Sequence, residues 1–139
     1  MKRSGTRAFA GVTIGKRTLR MQTMIAIIFE VEPHEGKADA YFGQALNLKP
    51  LLETMPGFIS VERFESVTQK GKFLSLSFWK DEESVKHWRN MEEHRRVQEM
   101  GRKAIFKDYR LRVANVIRDY GMNERAEAPK DSKGRHIPL

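Results

Sequence analysis

Two strand-like runs separated by a six-residue turn constrain this chain most. FISVERFES (58–66) alternates well enough for a β-strand, and FLSLSFW (73–79) alternates strictly. Phe73, Ser75, Ser77 and Trp79 share one face of the second run, and Leu74, Leu76 and Phe78 share the other. The intervening VTQKGK contains Gly71, so the pair reads as a β-hairpin. Helical periodicity flanks the hairpin on both sides, and a further strand lies beyond each helix.

Upstream, MIAIIFEVE (24–32) is rich in Ile and Val and too short for a stable helix. It reads as a strand buried on both faces. PHEG (33–36) turns the chain. From 37 to 55, Ala38, Tyr41, Phe42, Ala45, Leu48, Leu51, Leu52 and Met55 recur at spacings of three and four, an amphipathic helix. Pro50 lacks an N–H donor and predicts a kink or restart, and MPG (55–57) stops the helix. Downstream, KDEES places acids at the positive end of a second helix, over 82–104 and broken near Gly101 or earlier. YRLRVANVIRDY (109–120) is the last strand.

The order β-α-β-β-α-β is the ferredoxin-like split βαβ arrangement, an α+β fold with an antiparallel sheet. Right-handed crossovers put both helices on one sheet face. The other face is left bare, yet the first strand is apolar on both sides. A second copy of the sheet is the economical cover, so the chain is expected to form a homodimer.

Three segments follow from this reading. Residues 21–121 form the domain and 122–139 an irregular polar tail. Residues 1–20 are a disordered basic arm, an over-long start, or a nucleic-acid or targeting segment. The net charge of +8 sits mostly there: six basic residues and no acid fall in the first 20, leaving +2 for the rest. The high pI therefore argues poorly for nucleic acid as a partner. No stretch approaches the length of a membrane helix. The absence of cysteine excludes disulfides, thiolate nucleophiles and Cys-based metal sites, and fits a cytoplasmic location.

The second helix carries an odd inward face. At about 100° per residue, Trp88, Met91, His94, Gln98 and Arg102 share one arc, opposite Arg89, Glu92, Glu93 and Arg96. Two readings stand. The helix could wall a pocket against the sheet, apolar with a few placed polar groups. It could instead be half buried, with the polar three at its rim or in the dimer interface. His87 and His94 have no acidic third ligand at metal spacing, so no metal site is expected. Arg110, Arg112 and Arg118 read as a solvated edge or interface salt bridges, and Glu62 with Arg63 as a cross-strand charge pair.

Residues 24–120 resemble the antibiotic biosynthesis monooxygenase family, small dimeric α+β barrels. MIAIIFEVEPHEGK, PGFISVERFES, LSLSFWKDEESVKHWRN and His94 carry the resemblance. It implies a monooxygenase acting on a small hydrophobic or aromatic molecule without metal or flavin. In that reading Trp88, Met91, Phe29 and Phe78 contact the substrate. His94, with Gln98 and Arg102, polarises a phenol or stabilises its anion. The resemblance also extends to a haem-degrading branch that uses a helix Trp, an axial His ten residues later and a strand Asn. Here the Trp is Trp88, but the other two positions hold Gln98 and Phe29, leaving His94 as the substitute ligand. A non-catalytic ligand-binding dimer is the remaining alternative.

Overall fold

The computed structural model describes residues 11–14, 17–20 and 24–133, apart from the side chains of 11–14, 17–20, Glu92, Glu93 and Lys133. Gly11–Ile14 (β1) and Arg17–Arg20 (β2) pair as an antiparallel ribbon in a sheet of their own. The rest of the leading segment lies outside the described residues. The domain proper follows as Ile25–Pro33 (β3), Ala38–Glu53 (α1), Phe58–Glu65 (β4), Phe73–Trp79 (β5), Glu82–Arg89 (α2) and Glu92–Met100 (α3). A π-helical turn, Gly101–Ile105, leads into Phe106–Asn115 (β6). A short Lys130–Lys133 helix (α4) interrupts the otherwise irregular C-terminal stretch, which also buries Ala128.

The sheet runs β4-β5-β3-β6 with every neighbour antiparallel, the ferredoxin-like order expected from the element sequence. Continuous apolar character places β3 inside the sheet, hydrogen-bonded on both edges. The last strand begins three residues earlier than its hydrophobic pattern predicts and ends at Asn115.

α1 is continuous through Pro50, with no restart there. Proline removes the donor for the carbonyl one turn back, at Leu46. Leu46 is largely exposed, so water can reach that acceptor. Beyond the helix, Gly57 adopts φ +83. A Cβ there would lie 2.0 Å from the Ser84 hydroxyl, so only glycine lets this loop press against the start of α2. The Gly57 carbonyl accepts from the Lys80 N–H at 2.7 Å. Asp81 caps α2, accepting from the Ser84 N–H at 2.9 Å and its hydroxyl at 2.7 Å.

The second helical segment is two helices, and the break falls at Asn90–Met91, earlier than Gly101. The Asn90 side-chain amide donates to the Lys86 carbonyl at 2.9 Å, offering that carbonyl a partner outside the helix ladder. Met91 is extended, with ψ 133, and α3 restarts at Glu92. Gly101 opens the π-turn because a Cβ there would come within 2.7 Å of the Phe106 ring.

Two buried clusters fill the space between helices and sheet. Ile25, Leu52, Met55, Trp79, Val85 and Trp88 pack at one end of β3. Val31, Tyr41 and Ile105 pack at the other.

Candidate functional site

The two clusters do not meet. On the helix-facing side, Trp79 pairs with Ile25 and Phe73 with Val31, at opposite ends of the register. Between them Ser77 stands opposite Ile27 and Ser75 opposite Phe29. Two serines between two large aromatics leave space where a core strand would carry side chains. That space is a cavity of about 220 Å³, roofed by α1, α2 and α3.

Its lining is mostly apolar: Ile27 and Phe29 from β3, Leu48 from α1, Val97 from α3, and Leu111 and Val113 from β6. Polar groups enter from four directions: Gln44 on α1, Arg63 on β4, Ser75 and Ser77 on β5, and His94 and Gln98 on α3. Ser77 is already engaged, its hydroxyl accepting from the Trp79 indole N–H at 3.0 Å.

His94 lies against Trp88, ring centroids 4.5 Å apart and planes 27° from parallel. Its Nδ1 is buried and has no hydrogen-bond partner. Burial pushes the imidazole pKa down to about 4, the nearby Arg95 charge adds to this, and the Trp88 backbone opposes it. The ring is therefore neutral at pH 7.

Arg63 is the cation of the inner wall. Its Nε is buried without a partner, and the side chain makes no hydrogen bond or ion pair with the described residues. The expected charge pair with Glu62 does not form, because adjacent strand residues point to opposite faces and only Arg63 turns inward. Arg112 does pair on the outer face, 3.2 Å from Glu30.

Of the residues singled out from sequence, the cavity brings together Trp88, Phe29, His94 and Gln98. Three others lie elsewhere. Met91 sits at the corner between α2 and α3 and packs on the Ile25–Trp79 cluster. Arg102 is exposed on the π-turn. Phe78 lies on the far sheet face, in register with Ala26 and Ser60. A helical wheel drawn through 82–104 assumes one unbroken axis, and the break at Met91 ends its validity there. Gln44 was not singled out from sequence, and Arg63 and the two serines were read there in other roles, as a charge pair and as one face of a strand. The signal for Arg63 was present, since it shares strand parity with Val61. Among the described residues no cluster of three or more His, Asp or Glu could hold a metal ion, and no helix is long and apolar enough to cross a membrane.

A family model described as antibiotic biosynthesis monooxygenase matches residues 24–100. The chain is 42% identical over 101 residues to the jasmonate monooxygenase ABM of Pyricularia oryzae, covering 73% of this chain and 47% of that one. It thus spans about half the length of that relative. It is 32% identical over 94 residues to the Bacillus subtilis protein YqjZ, covering 67% of this chain and 79% of YqjZ. A solved Mycobacterium tuberculosis structure superposes with TM-score 0.64 at 11% identity, over 71% of this chain and all of that one. A Shewanella oneidensis structure gives 0.64 at 14%, over 69% and 93%. At such identities these two structures speak to the fold alone.

Proposed function

The chain belongs to the antibiotic biosynthesis monooxygenase family, and on that premise we propose that it is a monooxygenase for a small hydrophobic or aromatic molecule held in the cavity between sheet and helices. The observation that carries this reading is the cavity, an apolar space with a neutral imidazole stacked at its wall, its Nδ1 lacking a hydrogen-bond partner. Jasmonate, named in the Pyricularia relative, belongs among the first molecules to test.

The chemistry we propose needs neither metal nor flavin. A substrate CH₂ made acidic by flanking aromatic or carbonyl groups loses a proton. Its carbanion reduces dioxygen. One oxygen atom remains as a carbonyl, the other leaves as water, and the substrate carbon supplies all four electrons. His94 is the acceptor for the first proton. Burial makes it a weak base, and an anion forming beside it favours its charged form. Gln98 offers an amide donor to the developing oxyanion. Trp88 fixes the imidazole plane by stacking.

Haem does not fit these residues as arranged. With His94 and Trp88 stacked at 4.5 Å, no porphyrin can lie between them, so no step is routed through iron. We also propose that the bare sheet face, with Ile28, Leu74, Leu76 and Phe78 only partly buried, is closed by a second copy of the chain.

The test is oxygen consumption by purified protein against a panel of phenols and activated methylene compounds, with hemin titration alongside. The reading expects uptake with at least one compound, cut at least a hundredfold in His94→Ala and less in Trp88→Phe. Uptake that is indifferent to His94, or saturable hemin binding at one per chain, would replace it.

A further inference from the structure

Arg63 has no role in the reaction just described, and it is half-buried against an apolar wall with its Nε shielded from water and unpartnered. A guanidinium cannot shed its charge as a buried lysine or carboxyl can. Strands usually place such a group where water reaches it, as with the exposed Glu62 on the opposite face and with Glu65 two residues along Arg63's own face, whose carboxylate accepts from the Gly71 N–H at 3.0 Å. Here β4 turns Arg63 inward instead, across from Ser75, which is too short to answer it. The cavity lining contains no Asp or Glu. Its other cation, Arg89, is exposed at the rim. The described residues thus form an apolar chamber with an unanswered positive charge in one wall and no internal counter-charge.

A planar guanidinium matches a carboxylate through two parallel N–H···O bonds. Apolar walls around part of the guanidinium make that pairing stronger than it would be on an open surface. Arg63 lies on the β4 side of the chamber, while Leu111 and Val113 line it on the opposite, β6 side. A ligand with an acidic end and a hydrocarbon body would place its charge on Arg63 and its body across Ile27 and Phe29 toward β6.

We infer that Arg63 is the anchor for a substrate carboxylate, and that the molecules this cavity takes are small apolar carboxylic acids. This rests on the cavity being the substrate site. Arg63 touches the substrate's acid group and takes no part in the oxygen chemistry, so it is a specificity-determining residue.

The experiment is calorimetric titration of the full chain with two acid and ester pairs, octanoate with methyl octanoate and phenylacetate with methyl phenylacetate. Wild type, Arg63→Met and Arg63→Lys are compared, and a melting curve is recorded for each without ligand. The acids should bind wild type at least tenfold more tightly than their esters. Arg63→Met should erase that preference while leaving ester affinity within about twofold, and Arg63→Lys should keep part of it. Because the guanidinium has no partner to lose, ligand-free Arg63→Met should melt at or above wild type. Equal affinity for acid and ester, or a preference that survives Arg63→Met, overturns the assignment and leaves the cavity as the site. A clear fall in melting temperature on Arg63→Met also overturns it, by giving the charge a structural role. Binding by no probe at all overturns both the assignment and the cavity as substrate site.

Discussion

The two faces of β5 are built from the same seven residues and serve different ends. Toward the helices, Phe73 and Trp79 bracket two serines, and the gap between them is the cavity floor. Away from the helices, Leu74, Leu76 and Phe78 form an unbroken apolar row with none of the described helices over it. Size contrast along a strand makes a hole, while uniform size makes a flat surface suited to docking. One strand therefore encodes both the floor of a cavity and a continuous apolar face, separated only by the two-residue period of the pleat.

The largest expected effect tests the docking face. Leu76→Lys should weaken self-association at least a thousandfold, about 4 kcal/mol, and shift the mass measured by light scattering from two chains to one. If wild type is already a monomer, the apolar row has another purpose.

The next effect reads the buried side through pH. His94 titrates near 6.5 when unfolded and near 4 when folded, so between those values the unfolded chain binds the extra proton. Its contribution is intact above pH 6.5 and falls away as pH drops toward 4, by about 3 kcal/mol in all. Urea unfolding across this window should show His94→Gln losing less stability on acidification than wild type. Parallel pH curves would mean the imidazole is better solvated than its burial implies.

Filling the hole gives a comparable effect on binding alone. Ser75→Leu puts a branched side chain on the cavity floor and should lower affinity for any ligand at least a hundredfold. Its melting temperature should hold, since buried apolar area is gained where space already exists. Undiminished binding would place the ligand elsewhere.

The smallest effect concerns Ser77, whose hydroxyl answers the Trp79 indole. Ser77→Ala should cost about 1 to 2 kcal/mol in chemical denaturation, because it leaves a buried N–H unpaired. A neutral result would mean water takes the place of the hydroxyl.

Much of this was legible in the chain itself. The hairpin, the two crossover helices and their order follow from periods of two and 3.6 and from turn residues, since the main chain cannot satisfy both patterns in one conformation. The face shared by Phe73, Ser75, Ser77 and Trp79 was equally plain. That it would be hollow was not, because a serine in a strand is silent about what stands opposite. Trp88, His94 and Gln98 were found from helical spacing, and Arg102 was misplaced by the same spacing once the helix broke at Met91. The break is written in Asn90, whose amide competes for a helix carbonyl, but nothing local says whether the competition is won.

Sequence alone determined the four strands of the main sheet, the helical segments between them and which strand residues share a face, because those are matters of local period and backbone sterics; the 11–20 ribbon and the break at Met91 were outside its reach. Tertiary structure decided where the helices leave the sheet uncovered, that His94 stacks on Trp88 at the wall of a cavity, and that Arg63 faces it without a counter-charge among the lining residues. Such facts depend on which side chains from distant segments come together, and on which do not. The second is a property of the packed whole that no segment carries.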